Sequence, residues 1–292
     1  MMRVAIYGRK ISKPNLKSFY QVFDHIESIG WKMLLEEELA KSIQQKGGLK
    51  FDYDTFNSHN DLKNAVDLVI SMGGDGTFLK CVSYIKDSGI PILGINMGRL
   101  GFLSNVSTDQ IKEALNEIKA KNYQFQKRSL LSVRVSDDID AEYLAMNELA
   151  IHKKDSSSMV AVNVSLDENF LNSYWSDGLI VSTPTGSTAY NLSCGGPIIT
   201  PGCQVHIITP IAPHNLNVRP VVVPDHMPIK LSVEGRGRSY LMSIDGKSTS
   251  IKQGQEITIS KAEFMINVIK FENNNFLDTI RNKLLWGSDK RN

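Results

Sequence analysis

Two periodicities divide the chain. Up to about residue 125, short apolar runs alternate with stretches whose apolar residues recur at helical spacing. Arg3 to Gly8 reads as a strand ending in a glycine turn. Leu16, Phe19, Tyr20, Phe23, Ile26 and Ile29 then mark one face of a helix that Gly30 can cap. Trp31 to Leu35 predicts a second strand and Glu36 to Gln45 a polar helix. Its Glu36-Glu37-Glu38 run is expected to be a solvated face, and Gly47 to Asn60 a polar connection. Leu68, Val69 and Ile70 form a β-branched run of the kind that a strand covered on both faces requires. It leads into Gly73, Gly74, Asp75 and Gly76, and from Thr77 a helical pattern continues through Val82 and Ile85. Ile90 to Asn96 is the next strand, followed by a second glycine-rich turn from Gly94 to Gly101. Ser107 to Gln110 has the form of a capping box for a helix reaching about Ala120.

Beyond residue 126 the helical spacing disappears. Ser129–Ser136, Tyr143–Asn147, Met159–Leu166, Gly178–Ser182, Gln204–Thr209, Pro228–Val233, Tyr240–Ile244, Glu256–Ile259 and Phe264–Ile269 are short β-like runs, most of them separated by Gly, Pro, Asn or Asp. Helical spacing returns at Leu277, Ile280, Leu284 and Leu285. The expected fold is α/β plus β: an N-terminal Rossmann-like α/β domain over 1–125, and an antiparallel β-sandwich-like domain over 126–273. The terminal segment 274–292 is expected to pack back on the first domain.

Composition narrows the function less than the pattern does. The chain has 292 residues, 41% hydrophobic and 22% charged, with a net charge of +2. That charge is too mild to point to nucleic acid or an anionic membrane. No apolar run of about 18 residues is present, so no membrane span is expected. Three cysteines, Cys81, Cys194 and Cys203, lack metal-ligand spacing, and an odd number argues against a disulfide framework. A cytoplasmic location is expected. The six histidines show no metal spacing either.

The candidate chemistry lies in the turns. Glycines around Asp75 let a ligand approach backbone N–H groups just before a helix N-terminus, which favours anions. The arrangement suits a phosphate-bearing ligand met by one carboxylate, although Gly-Gly-Asp also serves simply to turn the chain. In an α/β sheet, ligands sit beyond the carboxyl ends of strands, where both glycine turns fall. In the second half, Thr183 to Ser193 is dense in hydroxyls and glycine and carries Tyr190, a stacking face; its alternative is a capped helix beginning near Ser187. Asp177 reads as an Asx-turn residue. Asn147-Glu148 can meet both hydroxyls of a ribose or be plain surface. No Gly-x-x-x-x-Gly-Lys-Ser/Thr loop, no Gly-x-Gly-x-x-Gly after the first strand and no Gly-x-Ser-x-Gly occurs.

Taken together, Gly73-Gly-Asp-Gly-Thr77, Gly94-Ile-Asn-Met-Gly-Arg-Leu-Gly-Phe-Leu103, Asn147-Glu148, Asp177 to Tyr190, Ile211-Ala-Pro-His214 with Arg219-Pro220, and Ser243-Ile-Asp-Gly246 resemble the NAD kinase family in order and spacing. The Asp177 to Tyr190 block is the most specific of these. The resemblance implies an enzyme that transfers a phosphoryl group from ATP, or in some members from polyphosphate, to the 2′-hydroxyl of the adenosine ribose of NAD, giving NADP. It implies a divalent cation, Mg²⁺ by preference, and a homodimer or homotetramer whose sites share residues across the interface. Carried over by position, Asp75 is the catalytic base or orienter and Gly76 its close neighbour. Asn147 meets the adenine, with Thr185, Thr188, Ala189 and Tyr190 around it, and Asn191, Leu192 and Ser193 continue the loop. Glu148 holds ribose hydroxyls. Asp177 and Ala212 reach NAD in an adjacent protomer. Lys80 stands where several members carry a basic residue, with a surface role as the alternative, and Lys247 occupies a variable position. Ser158 and Trp175 depart from the family's usual residues. A lipid or sugar kinase with the same glycine-acid motif, and a non-catalytic NAD(P) sensor, are the competing readings.

Overall fold

The structure is a computed structural model. It describes the chain except residues 10, 12–14, 50–51, 99–100, 155–158, 236, 273–274 and 287–292, and the side chains of 138–140. Arg99, Leu100, Ser158 and, in the 274–292 segment, residues 274 and 287–292 therefore lie outside the described residues. The chain divides into two compact units, 1–127 with 266–292, and 128–265.

The first unit begins with β1 (Arg3–Gly8), α1 (Leu16–Ser28), β2 (Lys32–Glu36), α2 (Glu37–Gln44), β3 (Asp54–Phe56), α3 (His59–Leu62), β4 (Leu68–Gly73) and α4 (Asp75–Ile85). It continues with β5 (Ile92–Asn96), β6 (Val106–Ser107), α5 (Ile111–Lys119) and β7 (Gln124–Arg128). The apolar runs become central strands because both faces are covered: Leu68 to Met72 are all buried. Phe19, Val22, Phe23 and Ile26 of α1 and Ile111, Ala114, Leu115 and Ile118 of α5 join the core beside them. Helical spacing thus turns one stripe of each helix onto the sheet.

Two expectations in this unit are corrected. The polar connection of 47–60 contains β3, which extends the sheet by pairing in parallel with β2. Glu36 is not on a solvated face; it is 7% exposed, and its Oε2 accepts the Leu39 N–H at 2.9 Å, capping α2. The Ser107–Gln110 capping box forms as the sequence predicts, ahead of α5.

The second unit contains β8 (Leu131–Val135), β9 (Asp138–Ala145), β10 (Glu148–His152), β11 (Val160–Leu166), β12 (Asn169–Ser176) and β13 (Gly178–Ser182). A four-residue α6 (Tyr190–Ser193) precedes β14 (Val205–Ile211), β15 (Val221–Pro224), β16 (Ile229–Gly235), β17 (Ser239–Ile244), β18 (Lys247–Lys252) and β19 (Glu256–Lys261). Two six-stranded sheets result, ordered β15-β14-β13-β10-β17-β18 and β12-β11-β16-β19-β8-β9. Every pairing described within them is antiparallel. Alternate residues such as Tyr240, Met242 and Ile244 of one sheet and Ile229, Leu231 and Val233 of the other share a single core, as a sandwich requires.

The chain then returns to the first unit as β20 (Ile266–Lys270) and α7 (Phe276–Leu284). The Phe264–Ile269 run, expected to be part of the sandwich, instead places β20 parallel to β5, with Val268 opposite Ile92. Ile266, Val268 and Ile269 are buried there, so a strand apolar on both faces found a site in the α/β sheet. The first sheet is ordered β3-β2-β1-β4-β5-β20-β7, with β6 beside β5. Strand order reverses at β1, so the switch point lies between β1 and β4.

Candidate active site

In the first unit the glycine turn sits at that switch point. Gly74 caps α4, and Asp75 and Gly76 form its first turn. Gly73 is required by packing, since a Cβ there would lie 2.3 Å from the Thr77 hydroxyl oxygen. Gly74 and Gly76 are exposed, and neither has a neighbour that excludes a side chain; Arg9 Nη2, at 3.8 Å, is all that a Cβ on Gly76 would meet. A glycine in a helix costs about 1 kcal/mol relative to alanine. Those two glycines leave room for something that approaches from outside. A cavity of about 300 Å³ lies here, lined by residues that include Arg9, Asn15, Gly73, Gly74, Thr77, Asn96 and Gly98. It gathers the carboxyl ends of β1, β4 and β5 and one guanidinium.

The Asp75 carboxylate is held by the second glycine-rich turn. Its Oδ2 accepts the Phe102 N–H at 2.9 Å, and its Oδ1 accepts the Leu103 and Ser104 N–H groups, both at 3.0 Å. The two turns, 27 to 29 residues apart, are thereby one structure. Gly101 makes the approach possible, because a Cβ there would lie 2.0 Å from Asp75 Oδ1. Gly94 does the same one layer down, where a Cβ would meet Leu103 O at 2.8 Å. Asn96 completes the turn, donating from Nδ2 to Ser104 O and accepting the Gly98 N–H. With two bonds on Oδ1 and one on Oδ2, the carboxylate keeps an acceptor direction on Oδ2. Lys80 is exposed on the second turn of α4.

In the second unit, Asn147 and Glu148 lie at the entry to β10, which pairs with β13 so that Glu148 faces Ser182. The loop after β13 folds back onto them. Asn147 O accepts the Thr183 N–H at 2.9 Å and the Ser182 hydroxyl at 3.2 Å. Thr183 Oγ1 accepts the Gly186 N–H and donates to Met146 O, whereas the residues that begin the two short helical turns here, Thr185 and Ala189, make no side-chain cap. A Cβ on Gly186 would collide with Asn147 O at 2.2 Å. The loop thus needs glycine for backbone-to-backbone contact rather than for its torsion angles.

Glu148 is the electrostatically unusual residue. Burial, then the nearby Asp245 carboxylate, raise its pKa to about 7, against a backbone hydrogen bond from Tyr190 that lowers it. Its Oε2 is buried with no hydrogen-bond partner among the described residues. Tyr190 stacks on His152, ring centroids 5.6 Å apart and 27° from coplanar, and remains 36% exposed. Burial pushes the His152 imidazole toward its neutral form.

The other candidates fall into distinct places. Thr185 is buried and its hydroxyl accepts from Arg128 at 3.3 Å; the Thr188 hydroxyl donates to Thr185 O. Ala189 and Leu192 are half-buried, and Ser193 is exposed. Asn191 lies in the same loop, with its side chain turned inward. It is fully buried, its Nδ2 donates to Ser187 O and Pro197 O, and its Oδ1 accepts from Thr209 at 2.6 Å, so it holds the loop's shape. Asp177 and Ala212 are brought together, but at the end of β13 opposite Ser182; Asp177 N–H donates to Ile211 O. Asp177 also pairs with Lys153 Nζ at 2.5 Å. Lys247 is exposed at the start of β18.

Sequence reasoning gave no role to Asp245. Its two oxygens accept the N–H groups of Met146, Asn147 and Glu148 at 2.7, 2.8 and 3.1 Å. Asp245 and Gly246 both have positive φ, the geometry of a two-residue turn between β17 and β18. The Asp-Gly pair announces that hairpin, but not what its carboxylate holds 97 to 99 residues away. Arg9 was missed as well, since one arginine after a strand carries no signal of its own.

Family models of the ATP-NAD kinases match both parts of the chain, the N-terminal domain over residues 4–123 and the C-terminal domain over 146–271. The chain belongs to the NAD kinase family. The NAD kinase of Flavobacterium psychrophilum is 44% identical over 294 residues, covering 100% of both chains, and that of Christiangramia forsetii is 44% identical with the same coverage. The NAD kinase of Bacteroides fragilis strain ATCC 25285 is 41% identical over 99% of this chain and 100% of its own. Two solved structures share the fold. A yeast NADH kinase complexed with NADH matches with a TM-score of 0.89 over 99% of this chain and 88% of its own, at 24% identity. An NAD kinase from Archaeoglobus fulgidus in complex with ATP matches with a TM-score of 0.73 over 97% and 99%, at 27% identity. Membership in the family covers both units, so neither the lipid or sugar kinase reading nor the sensor reading accounts for the chain as well.

Proposed function

We propose that this chain phosphorylates NAD at the 2′-hydroxyl of its adenosine ribose, with ATP as donor, and that Asp75 is the group that faces that hydroxyl. The observation that carries this reading is the Asp75 carboxylate, fixed by three consecutive amides beside two glycines that leave its approach open. A ribose hydroxyl is a poor nucleophile. A positioned carboxylate that takes its proton contributes about 10²- to 10⁴-fold. Phosphoryl transfer otherwise needs little but placement and neutralised charge. The first amides of α4 and the Arg9 guanidinium are the donors for the transferring phosphate, already in place before the reaction.

A divalent cation on the donor phosphates would neutralise more of the developing charge. Mg²⁺ usually keeps several waters and is held largely by the phosphates themselves. In the second unit, Asn147 and Tyr190 serve the adenine, with Thr185, Thr188 and Ala189 around it, and Glu148 accepts from the ribose hydroxyls. An oxygen buried without a partner is costly, and a ribose hydroxyl other than the one that faces Asp75 supplies the donor that satisfies it. Asn191, Leu192 and Ser193 shape this loop. Lys80 and Lys247, both exposed, are the candidates for reaching outer phosphates.

Asp177 and Ala212 lie at the far end of β13 from Ser182, about 15 Å along the strand. That separation supports their serving the NAD of a neighbouring protomer in a homodimer or homotetramer. Ala212 has φ of 46°, a conformation that costs an alanine free energy and is kept where it positions backbone for contact. Among the described residues no helix is long and apolar enough to cross a membrane. Three free cysteines, with the Cys81 thiol buried, suit a reducing compartment, and we read the enzyme as cytoplasmic.

The test is NADP formation by the purified chain with NAD, ATP and Mg²⁺, run beside Asp75→Asn. The wild type makes NADP, and the variant binds NAD but loses about 10²-fold or more in kcat. Wild-type kcat in the variant removes Asp75 from catalysis. Replacing ATP by polyphosphate in the same assay defines the donor range.

A further inference from the structure

The turn that holds Asp75 is itself held from behind. Phe102, whose N–H donates to Asp75 Oδ2, packs its ring against Phe276, with centroids 6.4 Å apart and planes at 51°. Lys283 Nζ lies 4.9 Å from the centroid of the same Phe102 ring. Phe276 and Lys283 are seven residues apart on α7, two helical turns, and so lie on one face. Ile280 lies between them on that face and is buried. The start of α7 is fixed as well, since Asn275 Oδ1 accepts the Leu277 N–H at 3.0 Å.

We propose that α7 is a brace for the catalytic carboxylate: Phe276 and Lys283 are positioning residues that hold Phe102, and through its backbone the three amides that aim Asp75. This rests on Asp75 being the group that faces the reacting hydroxyl. The path is short. The residue gripped by α7 contributes one of the three N–H groups directly, and the next two residues in the chain contribute the others. The turn has no slack on its other side, because Gly101 and Gly94 pack at distances that exclude even a methyl group. A shift of Phe102 therefore moves the carboxylate rather than being absorbed. An aromatic pair and a cation over a ring face are each modest interactions, so α7 can set the aim of Asp75 without being what folds the unit.

The test uses the full-length chain carrying Phe276→Leu or Lys283→Met, with Lys283→Arg as the variant that keeps a cation over the ring. Each is made alone and together with Asp75→Asn, and kcat, KM for NAD and Tm are measured. We expect kcat to fall about fivefold in Phe276→Leu and about twofold to threefold in Lys283→Met, at a KM for NAD within about twofold of wild type. Lys283→Arg restores kcat. In the Asp75→Asn background the same substitutions have no further effect on kcat, since what they misplace is already gone. An unchanged kcat in both single variants overturns the brace. So does an equal fractional loss with and without Asp75, the pattern of a general loss of folding, which a lower Tm would accompany. Wild-type kcat in Asp75→Asn alone would instead overturn the role of Asp75, so the two failures are distinguishable.

Discussion

Asp75 and Asp245 use one chemical device for two ends. Each carboxylate accepts the N–H groups of three consecutive residues, Phe102 to Ser104 in one case and Met146 to Glu148 in the other. Each joins segments distant in sequence. They differ in what the bracket fixes. Asp75 lies on an open helix start, and the amides fix the carboxylate, whose Oδ2 keeps an acceptor direction. Asp245 lies in a hairpin turn, where burial raises its pKa against the three N–H groups that lower it, and it fixes the backbone that delivers Asn147 and Glu148. In the first unit the acid is the part that is held and the backbone its mount. In the second the roles are exchanged.

Substitutions test that exchange. The largest effect is expected at Asp75→Asn, with kcat down about 10²-fold or more and NAD binding retained. Gly101→Ala follows. Its Cβ cannot coexist with Asp75 Oδ1, so kcat falls about 30-fold as the carboxylate is pushed from its aim, again with little change in KM for NAD. Asp245→Asn should act the other way round: about a tenfold rise in KM for NAD at nearly unchanged kcat. Steady-state kinetics decide, and a kcat defect in Asp245→Asn would erase the distinction between the two brackets.

The smallest effect is one of pH. Glu148 has a folded pKa of about 7, above the ordinary carboxylate value, so its burial costs little below the unfolded pKa near 4.5. Stability is lost as pH rises through 7, where the buried group must carry its charge. Glu148→Gln is therefore expected to match wild type at pH 4.5 and to be more stable at pH 8 by about 2 kcal/mol, or about 4 °C in Tm. A donating ribose hydroxyl needs the ionised form, so wild-type kcat/KM for NAD should fall as pH drops below 7, and the Gln variant should be weak throughout. A Tm difference that does not change between pH 4.5 and 8 would show that the Glu148 charge is not penalised.

Much of this was legible in the sequence where local rules and tertiary structure agree. The β4 run, the glycine turn, the capping box at Ser107 and the change of grammar near residue 126 all follow from neighbours in the chain. The misreadings share a cause. Glu36 reads as surface because three acids in a row are usually solvated, yet the first of them caps a helix. β3 is too short and polar to register until β2 offers it an edge. The Phe264 to Ile269 run looks like one more sandwich strand, since a strand's sheet is chosen by partners that a periodicity cannot name. Asp245 and Arg9 act across distances that no local pattern encodes.

The return of β20 to the first sheet also orders events in time. A ribosome delivers all of 128–265 before Ile266 exists, so the sandwich can complete its core while the first sheet still lacks a strand next to β5. Closing that sheet joins residues about 176 positions apart, as in the pairing of Val268 with Ile92, and such distant contacts form slowly. The sandwich, which carries Asn147 and Glu148, is thus the early unit. The unit that carries Asp75 matures last, when the final strand and α7 arrive, so a nascent chain can complete the Asp245 bracket before the sheet behind the Asp75 bracket is closed.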